Sequence, residues 1–576
     1  MPVQKTPIPD SNFGVSSAIL VNQKELDYRF RVVSVSVVKE FGKISHAEIV
    51  LLDGDVATGK FEASDTGELS IGNDIEIQAG YDENDQTVFK GIIVKQTIKV
   101  DEESSTLMVT AKNKACKMAA ARHNEVYTEK SDSKIIKEII ERSGLTSEVG
   151  DTSFEHKSLT QYNCSDWDFI NIRAEVNSML VYTGDDSMIV SKPNLKGETK
   201  LEINYGSTIF DFEAELDGSN AFSKYMAATW NFIEQKVENV SQENGTGETS
   251  QGNLSSSDMA SAMKNDTCEI PVQSTFTDQT ELEILLDSMV LRYNLSRITG
   301  RIKTYGFADI HPGDMIDLQR VGERFNGKTI VSGVEHEIAE GGWYTTIRFG
   351  MDGSEYAKKY DDVNGLQASG MLPAINGLQT AKVMQFQDDP EDEGRILVRL
   401  SNFASGDQEG VWARIATFYA GDKRGSFFLP EIDDEVIVGF IDDHPDNAVI
   451  LGSLNSSSLP PPQQTDDNNN IKGIYTKSGI KLEFDDKETS FSVTTPKGNV
   501  FSIIDDKSIS LKDKKGNSIV MDSDGITIEA SSGNVTLKGK NVEIEAQGSF
   551  IAKGNTGAEL STSANAVIKG SMVQIN

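Results

Sequence analysis

The side chains that most often bind metal ions are sparse in this sequence, and their spacing does not suit a metal site. The chain has three cysteines, Cys116, Cys164 and Cys268, and six histidines, which are His46, His123, His156, His311, His336 and His444. No two histidines stand at the short spacing of a metal-binding pair, and no Cys-x-x-Cys motif occurs. We therefore predict no metal site and no cofactor.

Two histidine motifs could provide acid–base chemistry. They are His311-Pro-Gly-Asp314 and Asp443-His-Pro-Asp446. In both motifs proline fixes φ and an aspartate is placed to cap backbone amides, so a loop turn is the better interpretation. The sequence has no Gly-x-Ser-x-Gly, Walker or His-Glu-x-x-His motif. We therefore predict that the protein is not an enzyme.

Paired aspartates in the C-terminal part of the chain could attract calcium ions. They are Asp485 with Asp486, Asp505 with Asp506, and Asp522 with Asp524. The twelve-residue pattern of a calcium-binding loop is missing around all of them. We interpret these carboxylates as solvated turn residues.

Composition and charge restrict the partners and the compartment. The 576 residues carry a net charge of −34. Because such an acidic surface repels phosphate, we expect no nucleic-acid partner. The charge is uneven, because residues 463–576 hold 13 Lys against 15 Asp plus Glu. The N-terminal residues lack the apolar core of a signal peptide, and no apolar run is long enough to span a membrane. These features predict assembly in the cytoplasm.

The elements that must position these side chains are mostly strands. Residues 27–112 and 300–350 contain alternating apolar and polar stretches separated by glycines, which is typical of β structure. Three segments have helical spacing, and residues 237–262 are polar enough to predict a mobile loop. The helical segments are 133–142 with Ser133 as N-cap, 165–180 with Ser165 as N-cap, and about 278–293.

A compact unit of about 80 residues follows the second β region. Its short strands predict a small Greek-key barrel such as an OB-fold. Val436, Val438 and Phe440 alternate and should face the barrel interior. The predicted strands are 381–386, 395–400, 411–418, 435–441 and 449–451.

The tail repeats a short pattern of two apolar residues in alternation, with turn residues between most of the pairs. Examples are Phe491 with Val493, Phe501 with Ile503, and Val573 with Ile575. A fixed short period favours a β-solenoid of eleven or twelve strands, and an antiparallel meander is the alternative. Two apolar residues per strand are too few for one chain to enclose a core, so three chains would have to share one.

Several stretches resemble the spike proteins of contractile injection systems, meaning the VgrG family and the related phage tail hub and needle. The residues from Phe428 to Leu454 resemble the OB-fold of that family most specifically. The other similar stretches are Ser165–Val176 in the hub, Phe325–His336 at its closing strands, and Tyr475–Asp486 at the start of the needle.

The resemblance implies a mainly β homotrimer with four parts. Residues 1–370 would form a hub of two related barrels with inserted helices, 371–455 an OB-fold barrel, 456–470 a linker and 471–576 a trimeric β-helix (β-prism) needle. The hub would meet the inner tube and baseplate, and a PAAR-type protein would cap the tip.

The function that follows is that of a central spike, part of an injection particle delivered extracellularly or into a target cell, whose needle transiently pierces a membrane. The system would be type VI secretion or an extracellular phage-tail-like particle. Two alternatives are an effector-bearing spike enzyme and a trimeric adhesive tail fibre. A fibre would need neither hub nor OB-fold, and from the short linker and the chain end at Asn576 we expect no effector domain.

The last apolar residues of the chain are the candidate binding site. Met572, Val573 and Ile575 would lie at the final layer of the needle, where stacked strands expose apolar side chains. We predict that these three residues form or support the surface that binds the cap.

Overall fold

A computed structural model describes residues 6, 8, 14–244, 247–272, 278–403 and 410–575. The chain separates into two compact units, Met1–Pro373 and Ala374–Asn576. Both are mainly β, as the alternating sequence patterns predict. Among the described helices, none is long and apolar enough to cross a membrane.

Within the described residues, the first unit contains twenty-one strands. In chain order these are β1 (Val15–Val21), β2 (Lys24–Glu25), β3 (Val32–Glu40), β4 (His46–Leu52), β5 (Asp74–Tyr81), β6 (Gln86–Val100), β7 (Ser105–Lys112), β8 (Arg122–Ser131), β9 (Thr146–Val149), β10 (Glu155–Ser165), β11 (Leu180–Thr183), β12 (Ser187–Ser191), β13 (Thr199–Asn204), β14 (Asp211–Leu216), β15 (Lys224–Asn231), β16 (Lys236–Glu243), β17 (Thr267–Pro271), β18 (Ile298–Tyr305), β19 (Met315–Gln319), β20 (Gly327–Ala339) and β21 (Gly342–Phe349).

Thirteen of these strands form one continuous sheet with two separate cores. Its order is β14-β18-β21-β20-β3-β4-β7-β6-β5-β1-β2, and β13 and β19 pair with each other beside β20. One core lies against β1 and β3–β7, and the other against β13, β14 and β18–β21. The two barrels predicted for the hub thus correspond to two cores on a shared sheet.

Strand β20 joins the two halves of that sheet. It pairs with β19 through Gly327–Ile330 and with β3 through Gly333–Ala339. Its pairing with β21 shifts register between Val331 and Gly333. A Cβ at position 333 would lie 2.7 Å from Cγ of Glu40, so only glycine fits without a shift of that side chain. Such an irregularity bends a strand, which lets one strand serve both cores.

Helices pack around the first unit. They are α1 (Glu62–Asp65), α2 (Asp132–Arg142), α3 (Asp166–Val176), α4 (Ser256–Met263), α5 (Gln279–Leu295) and α6 (Tyr356–Lys359), with short 3-10 turns at Gly67–Leu69, Lys114–Ala119 and Gln367–Gly370. The three predicted helices correspond to α2, α3 and α5, and the predicted cap at Ser165 is confirmed, since its side chain accepts a hydrogen bond from the Asp168 amide.

Two details of this region differ from the sequence predictions. The N-cap of α2 is Ser131, because β8 runs directly into the helix, and Ser133 lies inside the first turn. The loop predicted for 237–262 contains nearly all of β16 and all but the last residue of α4. A capping box between Ser255 and Asp258 starts α4, and Met259 and Ala260 bury its apolar side.

The second unit begins with a closed five-stranded barrel, as predicted. Its strands are β22 (Gln379–Gln385), β23 (Ile396–Leu400), β24 (Val411–Ile415), β27 (Glu435–Phe440) and β28 (Ala448–Ser453), with a small hairpin of β25 (Ala420–Gly421) and β26 (Arg424–Gly425) and a 3-10 turn at Ile441–Asp443. Val436 and Val438 are fully buried in its core. Phe440 is only partly buried, because it lies at the end of β27.

The tail forms a seven-stranded sheet in which each strand pairs antiparallel with the next. Within one chain the pairing is therefore that of the meander and not of a solenoid. The strands are β29 (Ile471–Tyr475), β30 (Lys481–Asp485), β31 (Ser490–Thr494), β32 (Val500–Ile504), β33 (Ser508–Lys512), β34 (Ser518–Asp522) and β35 (Gly525–Glu529).

The predicted strands beyond Glu529 do not form within the chain. Residues 530–575 are described, and none of them lies in a strand. The prediction of eleven or twelve strands per chain is thus wrong for the isolated chain, which has seven in its tail. A strand requires a hydrogen-bonded neighbour, and here the chain itself supplies none.

Candidate assembly interface

The apolar residues of the tail sheet lie in two straight columns on one face. Leu482 is opposite Val493, which is opposite Phe501, and Phe484 is opposite Phe491, which is opposite Ile503. The same register continues to β35 and defines the apolar face of the tail. Its residues are Ile474, Leu482, Phe484, Phe491, Val493, Phe501, Ile503, Ile509, Leu511, Ile519, Met521, Ile526 and Ile528.

Stacking within the columns orders these side chains without burying them. The ring centroids of Phe484 and Phe491 are 5.2 Å apart, and those of Phe491 and Phe501 are 6.2 Å apart. Leu511 nevertheless remains 56% exposed and Ile528 57% exposed. None of the described hydrophobic cores includes a residue of this sheet. A continuous apolar surface of this kind marks an interaction site.

The opposite face of the same sheet carries small polar residues along its middle and also Val500, Ile504 and Val520. Its central column contains Ser492, Ser502 and Ser510, and the hydroxyl oxygens of Ser502 and Ser510 are 2.8 Å apart. The central column of this face is mostly small residues, whereas the columns of the other face hold large apolar residues from β30 to β35. We therefore expect the apolar face to be the covered one.

The segment that follows β35 continues the apolar pattern without any strand partner. Its larger apolar side chains are all exposed, and they are Val535, Leu537, Val542, Ile544, Phe550, Ile551, Leu560, Val567, Ile568, Met572, Val573 and Ile575. Unpaired backbone and exposed apolar side chains together indicate that this segment requires other chains to form regular structure.

The three predicted tip residues belong to that segment. Met572 is 83% exposed, Val573 51% and Ile575 87%. Their exposure leaves them available for a partner, and their role in binding a cap stays a prediction.

The histidines considered for chemistry lie at separate places. His311 and Asp314 frame a turn in which the carboxylate of Asp314 accepts a 2.9 Å hydrogen bond from the amide of His311. His444 begins the turn after the 3-10 segment. Both motifs are therefore turns, as predicted. No group of three or more His, Cys, Asp or Glu within the described ranges could hold a metal ion.

Sequence reasoning missed a buried polar cluster in the first unit. Asp132 accepts hydrogen bonds from Nε of Arg173 at 2.7 Å and from Nδ2 of Asn177 at 2.9 Å, and its carboxylate lies 3.0 Å from Nε2 of His156. Burial alone would raise the pKa of Asp132, but the His156 and Arg173 contacts outweigh it and hold that pKa well below its usual range.

Only the fold brings these side chains together, since Asp132 lies 24, 41 and 45 positions from His156, Arg173 and Asn177 in the chain. The cluster ties α2 and α3 to β10, and three side chains of the same unit bind the Asp132 carboxylate. It therefore fits a structural role better than a catalytic one.

Comparison with known proteins identifies the family. The family model described as "Alg8 N-terminal domain" matches residues 11–340, which is more than half of the chain. This chain belongs to the Alg8 N-terminal domain family. Two further models match the second unit of this Alg8-family chain. The "Type VI secretion system/phage-baseplate injector OB domain" matches residues 379–454, and the "Phage baseplate V C-terminal trimerisation domain" matches residues 490–548.

Curated relatives are spike proteins of Pseudomonas aeruginosa. Type VI secretion system spike protein VgrG1b is 27% identical over 178 residues, which is 29% of this chain and 23% of the relative. VgrG1a is 28% identical over 138 residues, which is 22% of this chain and 21% of the relative. The aligned region thus spans less than a quarter of each relative. The resemblance to VgrG-family spikes is confirmed by these matches and by the two baseplate models.

Solved structures with a similar backbone path include tail proteins. The 43 kDa tail protein of prophage MuSo2 from Shewanella oneidensis is 8% identical, with a TM-score of 0.46 over 58% of this chain and 98% of its own. The E. coli c3393 protein, described as a type VI secretion component similar to phage T4 gp27 and gp5, is 12% identical, with a TM-score of 0.38 over 76% of this chain and 99% of its own.

Proposed function

We propose that this protein is the central spike of a contractile injection machine and that three copies assemble through the apolar face of the tail. The observation that carries the proposal is that face itself, where large apolar side chains, exposed or half-buried within one chain, follow one another in two columns. Covering it would remove this apolar surface from water. The match of residues 490–548 to a trimerisation domain supports three copies.

Three sheets of this kind would form a triangular prism. Each copy would supply one side, with its apolar face directed to the common axis and its serine column outward. Seven strands at ~4.8 Å per strand give this part a length of about 30 Å. A prism closed on all three sides leaves no apolar face to solvent, which suits an element that transmits compressive force.

The segment from Ala530 to Ile575 would continue the needle by a different arrangement. Because no strand pairs there within one chain, its backbone groups would bond to the equivalent segments of the other two copies. The seven-strand sheet would then align the three chains with one another, and the following segment would form an interwound β-helix.

The remaining parts of the proposal follow the family. Residues 1–370 would be the hub, 371–455 the OB-fold barrel, 456–470 the linker and 471–576 the needle. The hub would contact inner tube and baseplate proteins. A PAAR-type cone would cover Met572, Val573 and Ile575, and the capped needle would transiently pierce the target membrane. The proposed role is mechanical and does not require catalysis.

Multi-angle light scattering of the purified chain tests this proposal. The expected mass is three times the 63.0 kDa of one copy. A chain that is folded but remains monomeric at every concentration tested would refute the proposal.

A further inference from the structure

The turns of the tail sheet carry opposite charges at its two edges. Turns 476–480, 495–499 and 513–517 follow β29, β31 and β33 and lie at one side, which we name the basic edge. The turns that follow β30, β32 and β34 lie at the other side. We name these turns, together with the aspartates at the ends of β30 and β34, the acidic edge. Their residues are 485–489, 505–507 and 522–524.

Lysines dominate the basic edge, where Lys477, Lys497, Lys514 and Lys515 are all exposed. Its single acidic residue is Asp513. The carboxylate of Asp513 is engaged inside its own turn, since it accepts hydrogen bonds from the amides of Lys515 at 2.8 Å and Asn517 at 2.9 Å. Lys497 and Lys514 form no ion pair with any residue in the described part of the chain.

Carboxylates dominate the acidic edge. They are Asp485, Asp486, Glu488, Asp505, Asp506, Asp522 and Asp524, against two lysines, Lys487 and Lys507. Lys507 is paired within the edge to Glu488 at 3.2 Å, and Asp486 contacts Lys472 of β29. Within the described ranges, Asp505, Asp506 and Asp524 have no ion-pair partner.

The two sets of turns also alternate in height along the stack. Because the strands form a meander, each acidic turn lies one strand, or ~4.8 Å, above one basic turn and below the next. The turn of Asp505 and Asp506 is at a height between the turn of Lys497 and the turn of Lys514. Two edges of this kind would interdigitate if they were brought side by side in the same orientation.

We propose that the acidic edge of one copy packs against the basic edge of the next at each corner of the prism. This inference rests on the proposed trimer and specifies how its chains are arranged. In a cyclic three-fold arrangement every corner joins two different edges, so that each of the three corners pairs lysine turns with aspartate turns. An arrangement that joined like edges would place Asp505 and Asp506 against their own equivalents.

The charged edges supply information that the apolar face does not contain. The two apolar columns are nearly uniform along the stack, so they stabilise association without selecting the direction or the neighbour of each chain. Complementary charges at the rim of an interface choose orientation and register and exclude wrong partners. The edges would therefore make all three chains run in the same direction.

Charge reversal tests the pairing. Asp505→Lys with Asp506→Lys reverses an acidic turn, and Lys514→Glu with Lys515→Glu reverses the basic turn beside it. Each pair of changes alone should raise the concentration at half-assembly by about tenfold or more, because like charges would then face each other. The chain with all four changes should regain most of the lost assembly. Glu102→Lys with Glu103→Lys, in the exposed turn between β6 and β7, is the control for net charge.

Cysteine cross-linking tests the same pairing directly. A variant that carries both Asp506→Cys and Lys514→Cys has its two new cysteines at opposite edges of the sheet. The ~17 Å length of β33 separates them. That span is too long for a disulfide within one copy. Oxidation should give a closed covalent trimer in this variant and no cross-link in either single-cysteine variant. The native chain, with Cys116, Cys164 and Cys268, controls for unrelated disulfides.

The outcomes separate this inference from the proposed function. Suppose that the native chain is a trimer. The edge pairing is then refuted if the four-change variant assembles no better than either reversal, or if the single-cysteine variants form covalent dimers. In both cases the proposed spike function stands. If the native chain does not trimerise, the proposed function itself fails.

Discussion

The carboxylate of Asp132 lies 2.7 Å from Nε of Arg173, and this contact joins the first residue of α2 to the last turns of α3. Both side chains are largely buried, with 3% and 13% of their surfaces exposed. Removal of one member would leave the other charge without its partner in a site closed to water, which is strongly destabilising.

Asp132→Asn should therefore lower the free energy of unfolding of the first unit by about 3–5 kcal/mol. The effect has a defined pH range. The pKa of Asp132 is lowered in the folded state, so its contribution is fully present above the ordinary aspartate pKa and is lost as the pH falls below it. Urea unfolding at pH 7 and at pH 3 measures both effects. Asp151→Asn, on an exposed carboxylate, is the control, and equal losses in the two variants would contradict this account.

His336 should make stability depend on pH over a higher range. Burial lowers its pKa to about 3, and its Nδ1 lies 3.1 Å from the hydroxyl of Thr345. The unfolded chain takes up a proton at this histidine below about pH 6.5, whereas the folded chain does not, so stability is complete above that pH and declines toward pH 3. His336→Asn should flatten this decline in pH-dependent thermal unfolding. An unchanged slope would show that other groups cause it.

The OB-fold barrel offers a test of its core. Ile450→Ala should destabilise the barrel by about 2–5 kcal/mol, because Ile450 is fully buried in its centre. Leu451→Ala changes the next residue, which is 50% exposed, and should cost far less. Chemical unfolding followed by the fluorescence of Trp412 would measure the difference. Similar costs at the two positions would contradict this difference in burial, and a larger cost at Leu451 would mean that the strand faces are reversed.

The apolar face of the tail can be tested by two neighbouring residues of β35. Ile528→Asp places a charge on that face and should prevent trimer formation, since the charge would be buried at the common axis. Thr527→Asp places the same charge on the opposite face and should leave the trimer intact. Light scattering distinguishes them, and a loss of assembly in both would indicate general unfolding of the sheet.

Removal of residues 566–576 tests the tip. The seven-strand sheet lies upstream of the deletion, so the trimer should persist, whereas co-purification with a PAAR-type partner should be lost with Met572, Val573 and Ile575. Full-affinity binding by the shortened chain would place the cap surface elsewhere.

Local patterns in the sequence were sufficient for much of this structure. The buried faces of α2 and of the barrel strands follow from apolar periodicity, because a helix or strand of a compact unit must cover one side. The alternating pairs of the tail likewise predicted strands of the right length and facing, since side chains alternate along a strand whatever its neighbours.

The tertiary structure alone decided which distant residues meet. The sequence does not show that β20 contributes to two cores, or that Asp132, His156 and Arg173 share a site, because each depends on segments far apart in the chain. It also predicted strands after Glu529 that one chain does not form. A strand is completed by hydrogen bonds to a neighbour, so a repeat in the sequence shows where strands are possible, while the presence of a partner determines whether they exist.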